Sequence, residues 1–163
     1  MTIRFARLAD LKQIVEIYNQ AVAARGSTAD LDPATVDSRE SWFHEHGFET
    51  YPIWVAESEN AIAGWCCLSP HRPGRKALRR TAEISFYVHE EHQRHGVGSS
   101  LITHPIEDCP RLSIRNLFTW NLDTNEASAR ILEKFGFEEW GRLPNVAEID
   151  GQTCGQVIFG RAL

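Results

Sequence analysis

The spacing of apolar residues changes period several times along the chain. Leu11, Ile14, Val15, Tyr18, Ala21 and Val22 recur at three- and four-residue intervals, which predicts an amphipathic helix. Asp10 precedes that stripe and Gln13 follows three residues later, the spacing of a capping box, and Gly26 is placed to end the helix. Residues 2–6 read as a short strand before it, and residues 33–46 as a second helix after it. Two apolar runs, 53–57 and 62–68, flank the polar turn of Ser58, Glu59 and Asn60 and predict a pair of strands. A basic loop at 72–80 leads to alternating residues at 81–88, again a strand. A helix is expected after Gly98, with Pro105 kinking it or ending it early. Residues 116–120 predict another strand. Thr124 or Asn125 caps a helix bearing Ile131, Leu132 and Phe135, which Gly136 closes. The chain ends as a hairpin, 146–149 and 153–159, turned by Asp150-Gly151. Hairpins on both sides of a central strand–helix–strand unit predict an α/β fold with a mixed sheet and helices on its faces.

Composition narrows the class without changing that picture. The chain has 163 residues, 42% of them hydrophobic and 24% charged, and reads as a single domain spanning 1–163. A net charge of -5 argues against a general nucleic-acid partner, whose footprint is basic. No apolar run approaches the roughly 18–20 residues of a membrane span, and Met1-Thr2-Ile3-Arg4 lacks a signal-peptide core, so a cytoplasmic location is expected. The cysteines, Cys66, Cys67, Cys109 and Cys154, contain no C-x-x-C pair. Adjacent Cys66 and Cys67 would point to opposite faces of a strand, so buried free thiols are expected rather than a metal site.

The most informative stretch is Tyr87-Val88-His89-Glu90-Glu91-His92-Gln93-Arg94-His95-Gly96-Val97-Gly98-Ser99. A strand ends, a polar loop follows, and two glycines lead into a helix. Glycines let backbone N–H groups approach a ligand, and a helix N-terminus favours an anion such as a diphosphate. A plain turn is the alternative. Neither a Walker A loop nor a dinucleotide fingerprint is present. His89, His92 and His95 recur every third residue, but this is not H-E-x-x-H, and no metal is expected.

The run Gln93-Arg94-His95-Gly96-Val97-Gly98 resembles the Q/R-x-x-G-x-G/A loop of the GNAT superfamily of N-acetyltransferases. The likeness extends through Ile3-Arg4 with Ala6, Ile17-Tyr18-Asn19, Ser27-Thr28-Ala29, Trp42-Phe43, residues 81–88, and Asn125, Ser128 and Gly136-Phe137. It is closest to the phosphinothricin acetyltransferase-like branch. The resemblance implies a strongly twisted sheet of about six to seven strands with about four helices, splayed after Val88 to admit acetyl-CoA. It implies that Phe86, Tyr87 and Val88 offer their backbone to the pantetheine arm. Arg94, His95, Gly96, Val97, Gly98 and Ser99 would cradle the pyrophosphate, and Asn125 would contact the cofactor or simply cap its helix. A homodimer acting on a small-molecule amine is also implied.

Alternation puts Ile84, Phe86 and Val88 on one face of the central strand and Glu83, Ser85 and Tyr87 on the other. A carboxylate among apolar strand residues is costly unless paired or useful. The resemblance makes Glu83 the candidate general base, with Ser85 beside it in the substrate pocket; a salt bridge to the 72–80 loop is the structural alternative. A base is needed because an alkyl amine is mostly protonated at neutral pH. Arg72 is a candidate grip for a substrate carboxylate, or a solvated charge. The chain departs from the family in three places: Leu132 stands where many members carry a Tyr or His acid, Leu78 replaces a Tyr, and Thr153-Cys154-Gly155 replaces Trp-Asp. These departures leave the amine open and raise a rival reading, a non-catalytic acyl-CoA-binding module.

Overall fold

The computed structural model describes residues 1–59 and 61–163; the turn residue Asn60 lies outside them. The strands are β1 (Thr2–Phe5), β2 (Ile53–Ser58), β3 (Ala61–Pro70), β4 (Thr81–Val88), β5 (Asn116–Leu122), β6 (Glu138–Ile149) and β7 (Gln152–Ala162), with helices α1 (Leu11–Ala23), α2 (Val36–Glu45), α3 (Val97–Asp108) and α4 (Glu126–Lys134). One seven-stranded sheet runs in the order β1-β2-β3-β4-β5-β7-β6. Every neighbouring pair is antiparallel except β4–β5, which is parallel.

Both faces of the sheet are covered, and the alternation of its strands separates two cores. Cys66, Leu68, Ile84, Leu101, Ile102, Leu117 and Leu132 pack on the face beneath α3 and α4. Ile14, Ile17, Tyr18, Val55, Trp65 and Cys67 pack on the other, with Trp42, Phe43 and Tyr87 against them, beneath α1 and α2. Cys66 and Cys67 thus enter different cores, and all four cysteines are buried free thiols. Burial pushes the Cys67 thiol up to about 12, so it stays neutral.

Several local expectations are corrected. Asp10 does stand at the N-cap position of α1, but its side chain makes no cap hydrogen bond: its carboxylate accepts from the Arg7 N–H at 2.7 Å and pairs with Arg4. Gln13 turns away from the cap and accepts the Ile62 N–H at 2.9 Å. A short 3₁₀ turn at Leu8–Asp10 feeds the helix instead. At the other end Arg25, not Gly26, takes the left-handed conformation, with φ 59°. Pro105 does not end α3, which runs on to Asp108 with Pro105 buried. Strand β6 starts at Glu138, eight residues before the reading from sequence. Its first half mixes charged residues with Trp140 and Leu143 and is largely exposed because it lies at the sheet edge, where only β7 supplies order. Pro144 falls between Leu143 and Ala147, where the register slips; an edge-strand bulge tolerates its missing N–H.

What positions the site is the one parallel pair. Strands β4 and β5 are matched only at Thr81↔Asn116, Ala82↔Leu117 and Glu83↔Phe118. Beyond them β4 stays with β3 as far as Val88↔Gly64, while β5 stays with β7 as far as Leu122↔Gln156. The sheet therefore opens after Glu83, five residues earlier than expected.

Candidate functional site

The opening is a cleft of about 710 Å³, within the usual range for a small-molecule site. It lies beyond the carboxyl ends of two parallel strands, where open α/β sheets bind ligands. One wall is the free edge of β4, with Ser85, Phe86, Tyr87 and Val88. Thr119, Trp120 and Asn121 of β5 face them, and Asn125, Ser128 and Ile131 line the side toward α4.

At the floor is the loop into α3. Arg94 (φ 63°) and Gly96 (φ 82°) both adopt the left-handed region. For Arg94 that conformation is strained, and such strain concentrates where backbone groups are aimed at a ligand. Gly96 occupies the N-cap of α3, whose first N–H groups have no carbonyl to reach and carry the positive end of the helix dipole. Gly98 serves a different purpose. A Cβ there would lie 3.2 Å from Ile131 Cδ1 and 3.7 Å from Val88 Cγ2, a tight contact on α4 and an ordinary one on β4, so an added carbon obliges Ile131 to give way. Arg94, Gly96, Gly98 and Ser99 line the cleft. His95, in the turn before α3, is exposed, and Val97, the first residue of the helix, is buried in the core. A cleft lined by both polar and apolar groups, with an anion nest at its end, fits a diphosphate joined to a slender arm.

Asn125 caps α4, its Oδ1 accepting the Ser128 N–H at 3.1 Å, and it also lines the cleft. Cap and wall are one residue. Glu83 lies just outside the lining residues, at the fork where β4 and β5 part, opposite Ser69 and Phe118. Among the described residues it forms no salt bridge, and burial raises its pKa. Arg72 sits exposed on the loop between β3 and β4 at φ 60°; neither it nor its basic neighbours pair with Glu83.

Leu132, the residue at the family's acid position, is fully buried beneath the sheet; its neighbour Ile131 meets the cleft instead. Leu132→Ala is therefore expected to cost about 2–5 kcal/mol of stability while turnover per folded molecule persists. Thermal melts alongside rates normalised to folded protein test this, and a full-stability variant with lost turnover would contradict it.

The end of α1 and the residues just after it supply a wall that the sequence did not point to. Gln20, Ala21, Ala24 and Ser27 line the cleft, so Ala21 belongs to it rather than to the core stripe. Gln20 accepts the Glu90 N–H through Oε1 at 3.0 Å, and its amide nitrogen is 3.0 Å from His89 Nε2. It thereby ties α1 to the loop that follows β4. The available signal was the small pair Ala21 and Ala24 at three-residue spacing, which leaves room beside a helix.

Comparison with known proteins gives a consistent picture. Residues 11–137 match the acetyltransferase (GNAT) family. YwnH of Bacillus subtilis (strain 168), whose name places it provisionally among phosphinothricin acetyltransferases, is 41% identical over 100% of this chain and 99% of its own. An L-methionine sulfoximine/L-methionine sulfone acetyltransferase of Salmonella typhimurium (strain LT2) is 32% identical over 100% of this chain and 90% of its own. The crystal structure of a GNAT superfamily phosphinothricin acetyltransferase from Sinorhizobium meliloti, in complex with AcCoA, superposes with a TM-score of 0.93. It shares 27% identity and covers 99% of this chain and 88% of that one.

Proposed function

The chain belongs to the acetyltransferase (GNAT) family, and from that premise we propose that it acetylates the amine of a small amino-acid-like substrate, of the phosphinothricin or methionine sulfoximine kind, with Glu83 as base. The observation that carries this reading is the fork at Glu83↔Phe118. It leaves a slot for one substrate along β4 and a half-buried carboxylate at the point where a second would meet it.

Acetyl-CoA supplies an activated acetyl thioester when bound. In this reading Arg94, Gly96, Gly98 and Ser99 hold its pyrophosphate, with His95 and Val97 giving only backbone. The free edge of Phe86, Tyr87 and Val88 aligns the pantetheine arm, and its N–H groups stabilise the oxyanion that develops on acyl transfer. Asn125 adds a polar contact from the start of α4. Holding both reactants in one slot replaces a bimolecular encounter with an oriented one. Glu83 takes a proton from the ammonium, since only the neutral amine attacks. Ser85, next on the same face, contacts the amine, and Arg72 meets a substrate carboxylate. Leu132 cannot donate a proton, but a thiol with a pKa near ~8.5 departs tolerably as the thiolate.

The test is acetyl-CoA consumption across amino acids and their sulfone, sulfoximine and phosphinic analogues. Turnover confined to amines without a carboxylate would overturn the amino-acid-like assignment. Residues 1–163 act in this reading as one catalytic domain in the cytoplasm, without a nucleic-acid or membrane partner.

A homodimer belongs to the same proposal. Strand β6 is an edge strand, and Trp140, Leu143 and Val146 on it are exposed apolar side chains. Edges of this kind pair with other chains unless covered. Light scattering at micromolar concentration should return twice the 18.5 kDa chain mass. A mass equal to one chain rejects the dimer.

A further inference from the structure

His46 follows the last turn of α2, partly buried against β3. Its Nδ1 lies 2.7 Å from the Trp42 carbonyl oxygen. A carbonyl only accepts, so Nδ1 carries the ring proton and Nε2 keeps its lone pair. The Trp42 ring packs on the imidazole, with centroids 4.8 Å apart. Nε2 faces Ser69 Oγ at 3.4 Å, a long hydrogen bond in which the hydroxyl donates. Ser69 in turn stands directly opposite Glu83 across the β3–β4 pair. Side chains so placed share a face, with Cβ atoms roughly 4.5–5.5 Å apart. Tertiary packing thus lines up a carboxylate, a hydroxyl and a neutral imidazole on one side of the sheet.

The chemistry leaves a task for such a line. An ammonium substrate loses two protons when it becomes an amide. As the N–C bond forms, the C–S bond breaks and its electron pair leaves on sulfur, which takes one proton to become a thiol. The second proton must reach solvent. Glu83, half-buried and without an ion-pair partner among the described residues, has to release the proton it accepts before the next cycle.

We propose that His46, acting through Ser69, is the proton outlet of Glu83. Ser69 Oγ passes its own proton to His46 Nε2 while accepting the one held by Glu83, and the imidazolium loses it to water. Bonds and charges balance, and no further reagent is needed. His46 does not touch the amine, so it is a positioning and relay residue rather than the base. The proposal rests on Glu83 being that base.

The surroundings suit the role. Burial holds the His46 pKa below its ordinary value, although the Trp42 and Leu68 carbonyls and the nearby Glu45 charge favour protonation. The ring is neutral at pH 7 and able to accept, and the Leu68 carbonyl offers an acceptor to the new N–H. The other titratable groups around it are Cys67 on β3, kept neutral, His71 just past β3, and Glu83 on β4.

Imidazole nitrogen NMR of the ligand-free chain provides a readout independent of turnover. The expected result is the Nδ1–H tautomer, titrating below ~6.5, and moving lower still in Glu83→Gln, which removes a negative charge. An Nε2–H tautomer, or a titration indifferent to Glu83→Gln, overturns the relay. In kinetics, His46→Gln and Ser69→Ala should each lower kcat by about 10- to 100-fold at pH 7, less than loss of the base itself. The double variant should be no worse than either, and the KM for acetyl-CoA should not move. Losses that multiply, or full kcat in both singles while Glu83→Gln is impaired, remove the relay alone. Full turnover in Glu83→Gln removes the base, and the relay with it.

Discussion

Glu83→Gln is expected to lose about 10²–10⁴ in turnover at neutral pH while keeping its fold and its affinity for acetyl-CoA. Glutamine matches the shape of the side chain at the β4–β5 fork but accepts no proton. Burial raises the Glu83 pKa, so the rate of the unmodified chain should fall as pH drops through a value above the ordinary glutamate pKa of ~4.3. The deficit of the variant should shrink at high pH, where the amine sheds its proton unaided. A deficit constant across the amine's pKa means that the carboxylate orients the amine, and proton transfer is then withdrawn.

Stability separates the catalytic from the structural role. A carboxyl whose pKa rises on folding favours its neutral form in the folded chain. The stability this contributes is complete below the unfolded pKa and is lost as pH rises through the folded one. Ionised Glu83 at pH 7 is therefore a cost that glutamine does not carry, and the melting temperature of Glu83→Gln should stay level or rise. A structural salt bridge would give the opposite sign.

Gly98→Val should reduce acetyl-CoA affinity by about 10²-fold or more, on the order of 2.7 kcal/mol. The first added carbon already meets Ile131 and Val88, and the two branches beyond it must enter the slot or push α3 away. Gly96→Ala should act differently. Nothing lies within 4 Å of a Cβ there, but φ is +82°, so the cost is backbone strain of about 1–2 kcal/mol and a milder, roughly tenfold loss. Calorimetry on variants shown by melting to be folded distinguishes the two. Unchanged affinity in a folded Gly98→Val protein would sink the assignment of the pyrophosphate to residues 94–99.

Features that depend on a few neighbouring residues were readable in advance. Alternation along 81–88 assigned Glu83, Ser85 and Tyr87 to one face, and the two cores bear this out. The cap at Asn125, the end of α4 at Gly136, the Asp150-Gly151 turn and the glycine loop were legible for the same reason. Each is decided by backbone dihedrals and side chains within about four positions. The membership of the late helix's apolar stripe was legible too, but not which of Ile131 and Leu132 meets the cleft.

Tertiary structure alone decided the rest. Two strands matched for three residues and then drawn to different partners open the sheet at Glu83, and no local pattern encodes how far a parallel pairing persists. A distant partner took Gln13 from the predicted cap, the Ile62 N–H 49 residues away, whereas Asp10 was drawn to the nearby Arg4 and Arg7. The first half of β6 is ordered only by β7, and its sequence, without regular apolar alternation, carried no strand signal. Likewise Gln20 reaches the loop after β4 across 70 residues of sequence, and His46 meets Ser69 across 23. Periodicity determines which face a side chain occupies. What stands opposite that face depends on the packing of distant segments, and there the cleft and its proton path are made.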